Sequence, residues 1–223
     1  MMRGKTRKGE NIMAGKKSAM TQIFAGAVLA GMSIGLGGLA FLSLDNKVIG
    51  AAIFTVGLFT VCTFGLNLFT GKVCYVFDND RRYLATLPVI WLGNLCGAGL
   101  TALLAALTRH GPALQEKAAQ LCAAKTADSL GSLFVLGLLC NIFIYIAVEG
   151  FKNNPHELGK YLSLVFGVMG FILCGTEHSV ADMFYFWIAR AWSLRAVAVI
   201  VTITLGNAAG GVLFPLLRRV QNR

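Results

Sequence analysis

The stretch YLSLVFGVMGFILCGTEHSVADMFYFWIA, residues 161–189, is long and apolar enough to cross a bilayer, yet CGTEHS (174–179) interrupts it near the middle and Asp182 follows. A transmembrane helix takes roughly 20 predominantly apolar residues. Irregular backbone at membrane depth is tolerated only where protein or a water-lined cavity satisfies its N–H and C=O groups. The interruption therefore predicts a broken span beside a cavity, with His178 and Glu177 at the break.

Working outward from it, residues 18–44, 48–71, 83–108, 129–148 and 196–217 contain no Asp, Glu, Lys or Arg, so with 161–189 there are six candidate spans. The chain is 56% hydrophobic and 13% charged, with a mean hydropathy of +0.68. That balance excludes an ordinary soluble domain and makes lipid the expected solvent. The net charge of +10 does not point to nucleic acid, because the bases bracket the spans and do not interleave with aromatics on a polar face. With six spans and the N-terminus inside, 14 of the 20 Lys and Arg residues fall on the cytoplasmic side. This is the positive-inside bias, and it puts both termini in the cytoplasm of a multi-pass protein of the inner membrane.

No Pro/Ser-rich linker separates a second domain. The expected organisation is a basic cytoplasmic arm over 1–17, a six-span domain over 18–217 and a cytoplasmic tail over 218–223. The basic start followed by Ser18–Leu44 resembles a signal peptide, but that run is too long for a signal h-region and lacks a clear small-residue cleavage pattern, so it reads as span 1. The six cysteines show no CxxC spacing and read as packing residues. His110, His156 and His178 are too dispersed to form a metal site. No phosphate loop, HExxH or GxSxG motif is present, so neither an enzyme nor a cofactor is expected.

The second half echoes the first. At an offset of 106 residues Gly31 falls on Gly137, Gly35 on Asn141 and Thr70-Gly-Lys72 on Thr176-Glu-His178; GNLCGAG (93–99) is echoed by GNAAGG (206–211) at 113. Three spans per copy is an odd number, so the second copy is inverted relative to the first. Inverted repeats whose helices break near the repeat interface are a recurring plan for membrane conduits. LFTGK (68–72) closes span 2 as CGTEHS interrupts span 5, so two polar loops are expected to face each other.

Each polar residue in these spans has a structural reading beside a functional one. His178 is either a buried hydrogen-bonding residue or, as neutral imidazole, a proton relay. Glu177 reads as pinning the broken backbone or touching a neighbouring span. Asn141, Asn207 and Asn94 are either interhelical glue or brackets for the broken segments. Lys125, just before span 4, is an interfacial anchor unless the connection 109–128 folds it inward. Lys72 either marks a cytoplasmic mouth or follows the positive-inside bias. Asp182 lies four residues after His178, near the far end of its span.

LFTGK (68–72), GNLCGAG (93–99), LCN (139–141), GTEHSVADMF (175–184) and LGNAAGG (205–211) together resemble the formate/nitrite transporter family over nearly the whole chain. The resemblance implies an all-α, aquaporin-like fold of six spans in an inverted 3+3 repeat, with spans 2 and 5 broken. It also implies a homopentamer with one pore per protomer, passing a small monovalent anion and protons. It puts Thr70, His178 and Lys125 at the pore centre, with Asn141, Asn207 and Glu177 in support. Phe54, Leu58 and Phe171 would form an outer constriction, and Leu68, Phe69 and Ile144 an inner one. The lysine after TG in LFTGKVCY departs from the Ser/Thr-rich continuation of formate channels and resembles the hydrosulfide branch. Hydrosulfide is therefore the favoured anion, with formate and nitrite as competitors. A receptor or scaffold without transport would leave the paired polar breaks unexplained.

Overall fold

The computed structural model describes residues 3–221, with side chains from residue 19 onward; the extreme ends of the arm and tail, residues 1–2 and 222–223, lie outside the described residues. Among them the chain is helical, in the order α1 (Arg3–Leu42), α2 (Lys47–Thr63), α3 (Phe69–Lys72), a 3-10 helix (Val73–Asp78), α4 (Arg81–Ala106), α5 (Gly111–Ala127), α6 (Leu130–Asn153), α7 (Glu157–Leu173), α8 (Ser179–Ile188) and α9 (Leu194–Gln221). Most of the basic arm therefore continues α1 as helix. Four segments are apolar and long enough to cross a bilayer: Ala19–Leu42, Arg81–Ala106, Leu130–Asn153 and Leu194–Gln221. Large apolar side chains such as Leu103, Phe166 and Leu205 are exposed on the outside of the bundle, as expected where lipid or another protomer is the neighbour.

The two 17-residue helices α2 and α7 end alike. Gly65 and Gly175 adopt φ of +64° and +67°, the left-handed conformation that glycine enters at little cost. The next N–H groups, of Leu66 and Thr176, reach back to the carbonyls of Val61 and Phe171 at 2.9 and 3.1 Å. The glycine N–H groups bond Cys62 and Ile172. This is the Schellman arrangement, which uses carbonyls that a helix end leaves without partners. An extended residue follows in each copy, and then a new helix starts at Phe69 or Ser179.

These matched ends correct the repeat register. Lys47–Thr63 maps onto Glu157–Leu173, Gly65 onto Gly175 and Asn67 onto Glu177, all at an offset of 110 rather than 106. Bonds outside the loops keep the same offset: Asn67 N donates to Gly26 O as Glu177 N donates to Leu136 O. Leu68, not Thr70 or Lys72, is thus the counterpart of His178. The sequence match was drawn to the repeated Thr, whereas backbone conformation aligns the left-handed glycines. The 113 offset of the later motif holds, with Asn94 mapping onto Asn207. Packing repeats as well: α1 lies on α2 and α4, α6 on α7 and α9, and each segment after a break crosses to the other copy, α8 onto α4 and the 3-10 helix onto α9.

The closest helix approaches rest on glycine. A Cβ on Gly97 would stand 2.0 Å from the Val28 carbonyl oxygen, and one on Gly210 would stand 1.9 Å from that of Leu138. Without a hydrophobic drive between helices in lipid, such backbone proximity supplies much of the association. Gly210→Ala is therefore expected to cost about 3 kcal/mol, the upper end of overpacking, because the obstacle is backbone. Gly131→Ala, with nothing within 4 Å, is expected to be silent. Thermal unfolding of the two variants in detergent checks this, and equal midpoints would refute it.

Candidate functional site

Both breaks are held by asparagines at 0% exposure. The Asn94 side-chain oxygen accepts from Phe69 N at 2.8 Å, while its amide donates to the carbonyls of Ala27 at 2.8 Å and Asn67 at 2.9 Å. Asn207 repeats this on the other copy, accepting from Ser179 N at 2.9 Å and donating to Gly137 and Glu177 carbonyls at 2.8 Å. Each amide thus satisfies one orphan N–H at the start of the resumed helix and one carbonyl of the loop before it. Asn141 does a related task, donating to the Thr70 carbonyl at 3.1 Å.

The brackets bring Thr70 and His178 together. Thr70 Oγ1 lies 2.9 Å from His178 Nε2, with both residues buried. His178 caps α8: it is extended, with φ −109° and ψ 106°, and its Nδ1 accepts from Ala181 N at 3.1 Å. An Nδ1 that accepts a backbone N–H carries no proton of its own, so in the neutral ring the proton sits on Nε2 and is donated to Thr70 Oγ1. A second ring proton would point at the Ala181 N–H and forfeit that bond. The Phe171 ring stacks on the imidazole at 5.5 Å and meets Phe54 edge-on at 5.8 Å.

Two cavities approach this pair. One, of about 270 Å³, is lined by Phe54, Lys125, Phe171, Glu177, His178 and Asp182 among others. The second, of about 110 Å³, is lined by Leu58, Leu68, Gly71, Lys72, Phe151 and Lys152 among others. His178 thus faces one cavity while Leu68 and Gly71, on either side of Phe69 and Thr70, face the other.

Lys125 is not an outward-facing anchor. The α5 helix folds against α8, so its last turn carries the Lys125 ammonium into the larger cavity, where it pairs with Glu177 and lies 3.0 Å from Asp182 Oδ1. On a continuing helix Glu177 and His178, adjacent in sequence, would point apart. Because His178 is extended and helix resumes only at Ser179, both line the same cavity.

The expected constriction residues divide differently. Phe54 and Phe171 line the larger cavity, whereas Leu58 lies with Leu68 on the smaller one. Ile144 is buried in the main core among the helices. Phe69 sits apart: Leu68 is extended, so the next side chain turns to the other side, and Phe69 packs with Ala27, Val73, Cys74, Ile90 and Tyr145. It also borders a lateral groove with Leu87, Trp91 and Leu205, away from both cavities. Two residues left outside the expected site belong to it by position. Asn94, read as glue or bracket, brackets the first break, and Asp182, four residues after His178, lines the larger cavity with it, although the resemblance had placed neither in the pore. Among the described residues no group of three or more His, Cys, Asp or Glu is arranged to hold a metal ion.

A family profile described as formate/nitrite transporter matches residues 7–220. The nitrite transporter NirC of Salmonella typhimurium is 29% identical over an alignment covering 84% of this chain and 78% of that protein. A solved structure described as an FNT family ion channel superposes with a TM-score of 0.80 at 26% identity, covering 91% of this chain and 90% of that one. Another, a pentameric formate channel with formate bound, gives a TM-score of 0.77 at 23% identity, covering 92% of this chain and 98% of that one.

Proposed function

The chain belongs to the formate/nitrite transporter family, and on that premise we propose that it conducts a small monovalent anion, hydrosulfide first among the candidates, with its passage linked to a proton at His178. The observation that carries this reading is the Thr70–His178 pair, 2.9 Å apart, with a cavity on either side. The path enters the larger cavity past Phe54 and Phe171, meets the imidazole, and leaves past Leu58 and Leu68 to the cavity that holds Lys72 and Lys152. In this frame α2 with its continuation, and α7 with α8, each complete one crossing, for six in all. The arm 1–17 and tail 218–223 lie in the cytoplasm, residues 18–217 form the channel of an inner-membrane protein, and five protomers assemble as in the formate channel.

A bare anion leaving water for an apolar constriction pays a desolvation penalty of several kcal/mol or more. Lys125 draws the anion in, and the Nε2–H of His178 offers it a hydrogen bond in place of Thr70. A proton drawn from the outer side turns the anion into its neutral acid before the driest stretch, while the imidazole stays neutral and donates only its hydrogen bond; hydrosulfide suits this because its acid is small and uncharged. Lys72, the residue after TG, lines the exit and supports the hydrosulfide assignment; the NirC relative supports nitrite as the competitor.

Purified protein in proteoliposomes is expected to pass hydrosulfide faster than formate or nitrite, with every rate rising as pH falls. Absence of flux for all three would refute transport, and a different order would reassign the anion. His178→Phe keeps an aromatic in place but removes both ring nitrogens. It is expected to lower flux about a hundredfold, the scale of a lost positioned acid or base, and to flatten the pH response; wild-type rates in that variant would refute the histidine's role.

A further inference from the structure

The buried cluster on the larger cavity holds one more carboxylate than Lys125 neutralises. Lys125 is shared by Glu177 and Asp182, whose side chains are only 10% and 2% exposed. Asp182 lines the cavity; its Oδ1 takes the 3.0 Å contact with the ammonium, while its Oδ2 is buried and has no hydrogen-bond partner among the described residues. With all three groups ionised the cluster would carry a net negative charge in the vestibule of an anion path. That would repel the anion and leave a buried carboxylate oxygen unsatisfied. One bound proton removes the excess charge and makes the lone oxygen a donor that an entering anion can satisfy.

We propose that Asp182 holds that proton on Oδ2 and is the vestibule acid of this protein, presenting an O–H to the entering anion. Resting on the channel reading above, it supplies the proton that accompanies the anion. The O–H bond of Asp182 breaks and a new bond to hydrogen forms on the anion's sulfur or oxygen. The neutral acid goes on past Phe171 and His178, and the cluster, now one charge more negative, recovers a proton from outer water through the mouth bordered by Lys47 and Asp128. The other titratable groups close to Asp182 are Cys122 on α5, Cys140 on α6 and Tyr185 one turn along α8. None replaces it: these are thiols and a phenol, which hold their protons at neutral pH.

The test compares formate and hydrosulfide flux, with simultaneous internal pH, for wild type, Asp182→Asn and Asp182→Glu in proteoliposomes. Asp182→Asn keeps the shape and an oxygen for Lys125 but carries no transferable proton. Its flux at neutral pH is expected to fall about tenfold, with rates then following the acid fraction in bulk solution, about tenfold per pH unit for formate and levelling off below neutral pH for hydrosulfide. Asp182→Glu is expected to restore the wild-type profile. Faster flux in Asp182→Asn would show an ionised, repelling Asp182 and overturn the proposal, as would an unchanged pH profile. Should that variant fail to assemble, infrared spectra of the wild type decide: a protonated-carboxyl stretch at neutral pH is expected, and its absence overturns the assignment. Failure of the wild type to pass either probe would instead count against the channel reading.

Discussion

Lys125→Ala is expected to abolish measurable anion flux and to destabilise the protein by about 3–5 kcal/mol, the cost of removing one partner from a buried charge cluster. Two carboxylates, of Glu177 and Asp182, would remain in a cavity from which both are largely shielded. The loop and helix bearing them would lose their link as well, since the lysine ties the end of α5 to the break before α8 and to α8 itself. Lys117→Ala on the same helix is the matched comparison. Its partner Asp45, at 2.8 Å, is fully in solvent, although the lysine's hydrogen bond and charge hold that carboxyl below its usual range. Exposed pairs contribute little, so its unfolding midpoint and flux should match wild type. Detergent unfolding curves and proteoliposome flux for both variants check this, and a Lys125→Ala protein with wild-type stability would remove the cluster from the account.

Asn207→Leu is expected to cost about 3 kcal/mol or more. The change preserves side-chain volume but strips three partners of their hydrogen bonds, and each buried group left unsatisfied costs about 1–3 kcal/mol. The Ser179 N–H and the Glu177 carbonyl flank His178, so the loss falls on the residue that meets Thr70, and flux is expected to drop with stability. Asn94→Leu should behave alike, because Asn94 does the same work for Phe69 and Asn67. Asn141→Leu should be milder, since its amide makes one bond to oxygen, the Thr70 carbonyl. Unfolding midpoints for the three variants test the order; an Asn141→Leu defect equal to the other two would contradict the bracket assignment.

These asparagines mark the limit of what could be read from the chain. Asn141 and Asn207 stood out as amides inside apolar runs, and both readings of them, helix glue and loop bracket, describe the same bonds once the loops are in place. Lys125 was ambiguous for a different reason. Its position before span 4 is that of any snorkelling anchor, and only the packing of α5 on α8 turns it inward. The residues expected to close the path were the least legible. Leu68 and Phe69 are adjacent apolar residues, and an extended backbone at Leu68 sends them to opposite sides.

The sequence by itself determined the solvent, the helical class, the family and the place of the breaks, because hydropathy, charge bias and Gly-centred motifs act locally along the chain. The tertiary structure alone decided the repeat register, the pairing of Thr70 with His178, and the sharing of Lys125 between Glu177 and Asp182. Each of these depends on which backbone groups a break leaves open and which distant side chain reaches them. Spacing along one chain does not contain that information. The interruption CGTEHS announced a cavity; the third member of the buried cluster on it, Asp182, becomes part of the site only when α5 folds across it.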